Sequence, residues 1–168
     1  GATTTFTFGT YFLNDSNNNG AININGSNLV LDGNGATLKG NWSFGTQNQR
    51  AVSINGANVT LKNFIFNQYR FGIVVANHSS YILNNTFNNT ERGVQINPSA
   101  ISVGPTNNTF IINNTFYNAT TGGIMINSDS YNIVSSFNRF SGSSGRAINS
   151  NPNFYTYNWT ISYNNFTS

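Results

Sequence analysis

A five-residue phrase built on Ile-x-Ile-Asn returns along this chain. It reads Ala21-Ile22-Asn23-Ile24-Asn25, Ala51-Val52-Ser53-Ile54-Asn55, Gly72-Ile73-Val74-Val75-Ala76, Gly93-Val94-Gln95-Ile96-Asn97, Gly123-Ile124-Met125-Ile126-Asn127 and Arg146-Ala147-Ile148-Asn149. With the second aliphatic as marker, Ile24, Ile54, Val75, Ile96, Ile126 and Ile148 are separated by 30, 21, 21, 30 and 22 residues. A unit of 21 or 22 residues, twice lengthened by a loop, is too short to bury a core of its own. Each copy must stack on its neighbours.

Every repeat divides into three strand-like segments separated by Gly, Asn or Asp turns. The first segment is Leu29-Val30-Leu31, Val59-Thr60-Leu61, Tyr81-Ile82-Leu83 and Phe110-Ile111-Ile112. The second carries Leu38, Ile65, Phe87, Phe116, Phe140 and Phe166, and the Ile-x-Ile-Asn phrase is the third. Helical spacing is absent, and the period is too short for a βαβ unit. The arrangement that buries one face of every such strand is an all-β, single-stranded, right-handed parallel β-helix of about six coils, with three short strands per coil. Inward positions then stack like on like. Asn55, Asn97, Asn127 and Asn149 fall at the bend after the third strand, where the expected partner of each amide is the Asn above.

The run from Asn28 through Leu29, Asp32-Gly33-Asn34-Gly35 and Leu38 to Gly40, followed by recurring Asn-Asn-Thr-Phe and Gly-Ile-x-Ile-Asn, resembles pectin-lyase-like parallel β-helix repeats. The resemblance covers residues 20–168 and implies the fold and an exported or cell-surface setting. That fold hosts lyases, hydrolases, adhesins and scaffolds, so the resemblance leaves the function open.

Residues 1–19 stand outside the repeat phrase. Thr3-Thr4-Thr5-Phe6-Thr7-Phe8 and Tyr11-Phe12-Leu13 read as strand, and Asn14 to Gly20 as a turn. This segment is expected to be a cap over the first coil or a strand donated to a neighbouring subunit. At the other end Trp159, Ile161 and Phe166 are still in repeat register, with no closing segment behind them. A coil left open in this way is a template for strand addition, with Phe6, Phe8 and Phe12 as anchors on the incoming strand. Such a head-to-tail contact need not close and builds a filament.

Only 7% of the 168 residues are charged, against about a quarter in ordinary soluble proteins. Disorder does not follow, because 14 Phe and 8 Tyr accompany a periodic aliphatic pattern. A net charge of +3 is too dilute for nucleic-acid binding. No run approaches the length of a membrane span, and the start at Gly1 without Met fits a mature exported product. Asn-x-Ser/Thr sequons occur at Asn14, Asn25, Asn41, Asn58, Asn77, Asn84, Asn88, Asn107, Asn113, Asn118, Asn158 and Asn165. With so little charge, a coat of N-glycans is the expected surface, at Asn84, Asn88, Asn113 and Asn118 first.

Catalytic chemistry is not expected, and no cofactor or metal either. The acids are Asp15, Asp32, Glu91 and Asp129. Asp32 and Asp129 lie four coils apart, roughly 19 Å, beyond the spacing of a glycosidic carboxylate pair. His78 is the single histidine and there is no cysteine. Arg50, Arg70, Arg92 and Arg146 each precede a third segment and form a candidate column for the carboxylates or sulfates of an anionic surface polysaccharide. The third segments mostly escape sequons, and their outward residues Ser53, Val74, Gln95, Met125 and Ala147 form a small, partly apolar stripe suited to protein contact. The function these features support is an extracellular structural subunit assembling head to tail, with a carbohydrate-binding or degenerate polysaccharide-active module as the alternative.

Overall fold

The structure is a computed structural model that describes residues 1–43, 49–96 and 105–167. The chain is a parallel β-solenoid. Coil one contains β1 (Ala2–Thr5), β2 (Thr10–Phe12) and β3 (Ile22–Ile24), and coil two β4 (Leu29–Asp32), β5 (Thr37–Lys39) and β6 (Arg50–Ile54). Coil three contains β7 (Val59–Lys62), β8 (Ile65–Asn67) and β9 (Phe71–Val75), and coil four β10 (Ser80–Leu83), β11 (Thr86–Asn88) and β12 (Arg92–Ile96). Coil five follows with β13 (Thr106–Ile112), β14 (Thr115–Tyr117) and β15 (Gly122–Ile126), then coil six with β16 (Ser130–Ser136), β17 (Arg139–Ser141) and β18 (Arg146–Ser150). A seventh turn adds β19 (Thr156–Tyr157), β20 (Thr160–Ser162) and β21 (Asn165–Thr167). In coils one to six the first, second and third strands stack into three parallel sheets, A, B and C, while β19 and β20 both pair with β16 in sheet A and β21 joins sheet B.

Alternation along each strand sends every second side chain into the lumen. Sheet C contributes two inward rows, Ile22-Val52-Ile73-Val94-Ile124-Ile148 and Ile24-Ile54-Val75-Ile96-Ile126-Ser150. The marker expected at Ile148 therefore belongs to the neighbouring row, and Ser150 is the residue that stands over Ile126. The turn between coils five and six is two residues longer than the phrase suggests. In sheet B the inward row is Tyr11-Leu38-Phe66-Phe87-Phe116-Phe140-Phe166. Phe66, not Ile65, holds the place in coil three, and Ile65 points outward.

From Phe66 to Phe166 the rings stack face to face at 5.0, 4.8, 4.8 and 5.1 Å, within 13° of parallel. Such pairs contribute about 0.5–1.5 kcal/mol each beyond buried area. The stack presses on the first turn of sheet C, and glycine is what makes room. A Cβ on Gly72, Gly93 or Gly123 would lie 2.4–2.6 Å from the Phe ring of the coil above. The recurring Gly before the aliphatic pair is thus a packing requirement.

Asparagine organises the corners. Asn28 and Asn58 hold φ of 54–59° before sheet A, Asn108, Asn132 and Asn158 hold 51–55° at a bend within it, and Asn63, Asn84 and Asn113 hold 55–60° after it. Asn89 and Asn118 do the same after sheet B. Asn accepts this left-handed backbone more readily than other residues bearing a Cβ. A second set, Asn85, Asn114, Asn138 and Asn164, sits inside the corner between sheets A and B. The backbone N–H of Asn85 donates to Asn114 Oδ1 (2.9 Å), that of Asn114 to Asn138 Oδ1 (2.8 Å) and that of Asn138 to Asn164 Oδ1 (2.9 Å). Each side-chain amide donates back to a carbonyl of the preceding coil, as from Asn114 Nδ2 to Ile82 O (2.8 Å).

The main internal ladder is therefore in the Asn-x-Phe phrase, at a different corner from the one expected. After the third strand the stacking is local: Asn55 Nδ2 donates to Asn25 Oδ1, and Asn151 Nδ2 to Asn127 Oδ1. Asn149 lies in a strand beside Met125, and Asn97 is outside the described residues.

Residues 2–12 are an ordinary first coil. Ala2–Thr5 pairs in register with Leu29–Asp32, and Thr10–Phe12 with Thr37–Lys39. Phe6 packs edge-on against Phe64 at 5.1 Å and joins the core. The segment lacks the Ile-x-Ile-Asn phrase because it supplies strands of sheets A and B, while the phrase belongs to sheet C.

Candidate functional site

A concavity of about 240 Å³ opens between β17, β18 and β21, lined by Phe140, Ser141, Ala147 and Phe166 among others, and it holds no ionisable side chain. All four carboxylates act as staples between coils. Asp15, buried, accepts the backbone N–H groups of Asn17, Asn19 and Arg50 at 3.1–3.3 Å. Asp32 accepts Asn63 Nδ2 and the Asn34 N–H at 2.9 Å and faces Lys62 Nζ at 3.1 Å. The Asn63 amide, then the Asn34 N–H, hold its pKa below the ordinary carboxylate value. Asp129 accepts the Tyr155 N–H at 2.8 Å. Among the described residues no group of three His, Cys, Asp or Glu side chains could hold a metal ion. His78 is exposed in its turn, with its backbone N–H bonded to Asn77 Oδ1.

Three of the candidate arginines do share a register: Arg50, Phe71, Arg92, Gly122 and Arg146 are successive partners at the start of sheet C. Arg70 precedes Phe71 and is one residue out of the column. Glu91 binds both Arg70 Nε (2.8 Å) and Arg92 (3.4 Å), and the two guanidinium groups lie 5.1 and 5.3 Å from the Phe71 ring. Arg92 also donates to Gln95 Oε1 at 2.6 Å. Burial lowers the Arg92 pKa, and Glu91 opposes the shift. Arg146 donates to Asn149 Oδ1. Arg70, Arg92 and Arg146 are thus engaged with their own neighbours, the first two sharing one carboxylate, while the buried Arg50 Nε has no hydrogen-bond partner among the described residues.

The sequons divide by what the fold does with each Nδ2. Asn58, Asn113, Asn118 and Asn158 donate it to the corner Asn of the preceding coil, at 2.8–3.2 Å. Asn77 donates it to Asn55 O. Asn88 and Asn107 lie half-sunk on sheet faces. Asn14, Asn25, Asn41, Asn84 and Asn165 are exposed, and none of their Nδ2 groups makes a hydrogen bond among the described residues.

The stripe expected to be open for protein contact is not. The outward row of sheet C is Asn23-Ser53-Val74-Gln95-Met125-Asn149, and Ser53, Val74 and Gln95 are only 2–5% exposed. Ala147 packs on the core instead. The insertions read at 41–49 and 98–107 fall largely on residues 44–48 and 97–104, outside the described residues.

Aromatic side chains are what the sequence reading overlooked on the outside. Tyr81 stacks on Phe110, Tyr131 on Tyr157 and Phe137 on Tyr163, at 4.9–5.1 Å and within 9° of parallel. Each pair covers one face of each ring, and Tyr157 and Tyr163 remain 50% and 79% exposed. Phe8 and Phe12 of coil one are about three-quarters exposed, with Lys39 Nζ 5.5 Å from the Phe12 ring. On the last described turn Ile161 is 49% and Phe166 55% exposed, although both occupy inward rows. Trp159 is half-buried against the core.

No protein-family profile, no curated protein and no solved structure matches this chain.

Proposed function

We propose that this chain is an extracellular, N-glycosylated structural protein, a stiff and nearly uncharged rod that stacks end to end on copies of itself in a filament or surface layer. The observation that carries the reading is the unbroken register of the inward rows, from Leu38 through Phe66 to Phe140 in sheet B and from Ile24 to Ile126 in sheet C, with the amide ladder of Asn85, Asn114 and Asn138 beside them. A coil of a second copy laid in the same register extends three ladders at once: backbone, phenyl and amide. Likeness to pectin-lyase-like repeats and the five sequons with free, exposed amides support the exported setting. Strand donation by residues 1–13 is not needed for this assembly, since those residues already pair within their own chain. The contact is axial stacking of one solenoid on the next.

An anionic-glycan site at the arginines is the weaker reading, because Glu91 occupies Arg70 and Arg92. Sedimentation velocity over a concentration series tests the proposal. The expected result is growth of the sedimenting species with concentration in the parent chain and a monomer for the Ile161→Lys/Phe166→Lys variant. Parent and variant sedimenting alike at every concentration would count against axial stacking.

A further inference from the structure

Besides the amide ladder between sheets A and B, the interior is polar at a second corner. Where sheet C hands over to sheet A, coils four to six place Ser80, Thr106, Thr109, Ser128 and Ser130 in the interior, all at 0% exposure. None of these hydroxyl oxygens has a hydrogen-bond partner among the described residues. The positions are neighbours by register. Thr106 pairs with Ser130, which pairs with Thr156, and Thr109 pairs with Ile133 beside the left-handed corner residues Asn108 and Asn132. In coils two and three the row that leads to Ser80 is occupied by Leu29 and Val59. Hydroxyls therefore replace aliphatic side chains in this row in coils four and five, and Ile133 restores an aliphatic in coil six. The row ends near the surface, where half-buried Thr156 Oγ1 lies 3.4 Å from Ser150 Oγ.

A buried hydroxyl without a partner is strongly unfavourable, and one such group is an anomaly. Five in adjoining coils of a single corner make a common ligand the economical explanation, and water is the ligand with donors and acceptors suited to hydroxyls that can serve as either. We propose that this corner is a hydration site, a file of ordered internal waters bonded to Ser80, Thr106, Thr109, Ser128 and Ser130 and reaching the surface beside Ser150 and Thr156. It is a property of the lumen and independent of how the rod assembles.

Two measurements on the full chain test it. A crystal structure at a resolution that resolves solvent is expected to show waters within hydrogen-bonding distance of at least Thr106, Thr109 and Ser130. Thermal unfolding of Thr109→Val is expected to give a lower Tm than the parent, because waters held by the hydroxyl lose a partner to a methyl group of the same shape. The inference is overturned if the hydroxyls prove to be turned onto strand carbonyls with no solvent between them. A higher Tm for Thr109→Val also overturns it, since that is the sign for removing a dry, unsatisfied hydroxyl.

Discussion

Asn114 shows what a single residue does in this solenoid. Its Oδ1 accepts the backbone N–H and side-chain amide of Asn85, while its Nδ2 reaches Ile82 O and Asn138 Oδ1, all inside the protein. Asn114→Leu keeps the branched shape of the side chain and orphans a buried donor and a buried acceptor on coil four, so a loss of about 3 kcal/mol is expected. For a chain of this size that is a fall in Tm on the order of 10 °C in a thermal melt; a change near zero would mean that the ladder is ornamental. Tyr69 offers a pH test. Burial, and secondarily the charge of Asp15, raise its pKa well above the ordinary 10.0, and its hydroxyl donates to Leu13 O at 2.7 Å. A raised folded-state pKa contributes stability that is complete below the unfolded value and is lost as pH climbs from about 10 toward the folded value. Stability should therefore decline in alkali, and ultraviolet titration should find one of the eight tyrosines silent until the chain unfolds. The glycan coat is tested by glycopeptide mass spectrometry of protein from a glycosylating host. Occupancy is expected at Asn14, Asn25, Asn41, Asn84 and Asn165 ahead of Asn58, Asn113, Asn118 and Asn158, whose amides hold the corners. The reverse order would contradict the division.

Within an element the question is which face a residue takes. Gly93 sits where a Cβ would meet the Phe116 ring at 2.4 Å and the Gly123 carbonyl oxygen at 2.8 Å. Gly93→Ala should cost about 1–3 kcal/mol through overpacking, and trimming the ring with Phe116→Leu should recover part of that loss in a double-mutant cycle read by thermal unfolding. Additive losses would deny the contact. The repeat, the three strands per coil and most inward rows were legible in the sequence because Ile, Val and Phe recur at fixed places. Ile65-Phe66 was not, since two adjacent apolar residues carry no information on parity and a slip of one exchanges core for solvent. Ile148 failed for a related reason: Ile148 and Ser150 are both inward, and only the register with Ile124 and Ile126 shows which stands where. Coil one was hidden because its strands pair through the backbone, which Thr3 and Thr10 do as well as Val. Asparagine was the least legible residue, serving as left-handed corner, buried ladder and sequon with little in the local sequence to tell these roles apart.

At the scale of the whole molecule the acidic charge is spent internally. The carboxylates bind amides and cations of neighbouring turns and two arginines close on Glu91, while Arg139 and Arg146 stay exposed on a surface otherwise rich in amide, hydroxyl and aromatic groups. Such a body has little with which to steer a charged partner, but it repeats its own geometry along one axis. Negative-stain electron microscopy of the concentrated protein tests the stacking most directly. Filaments one solenoid wide are expected, with an axial repeat of about 34 Å, the rise of seven strand spacings of about 4.8 Å. Single particles at every concentration, or filaments whose width shows solenoids joined side by side, would contradict it.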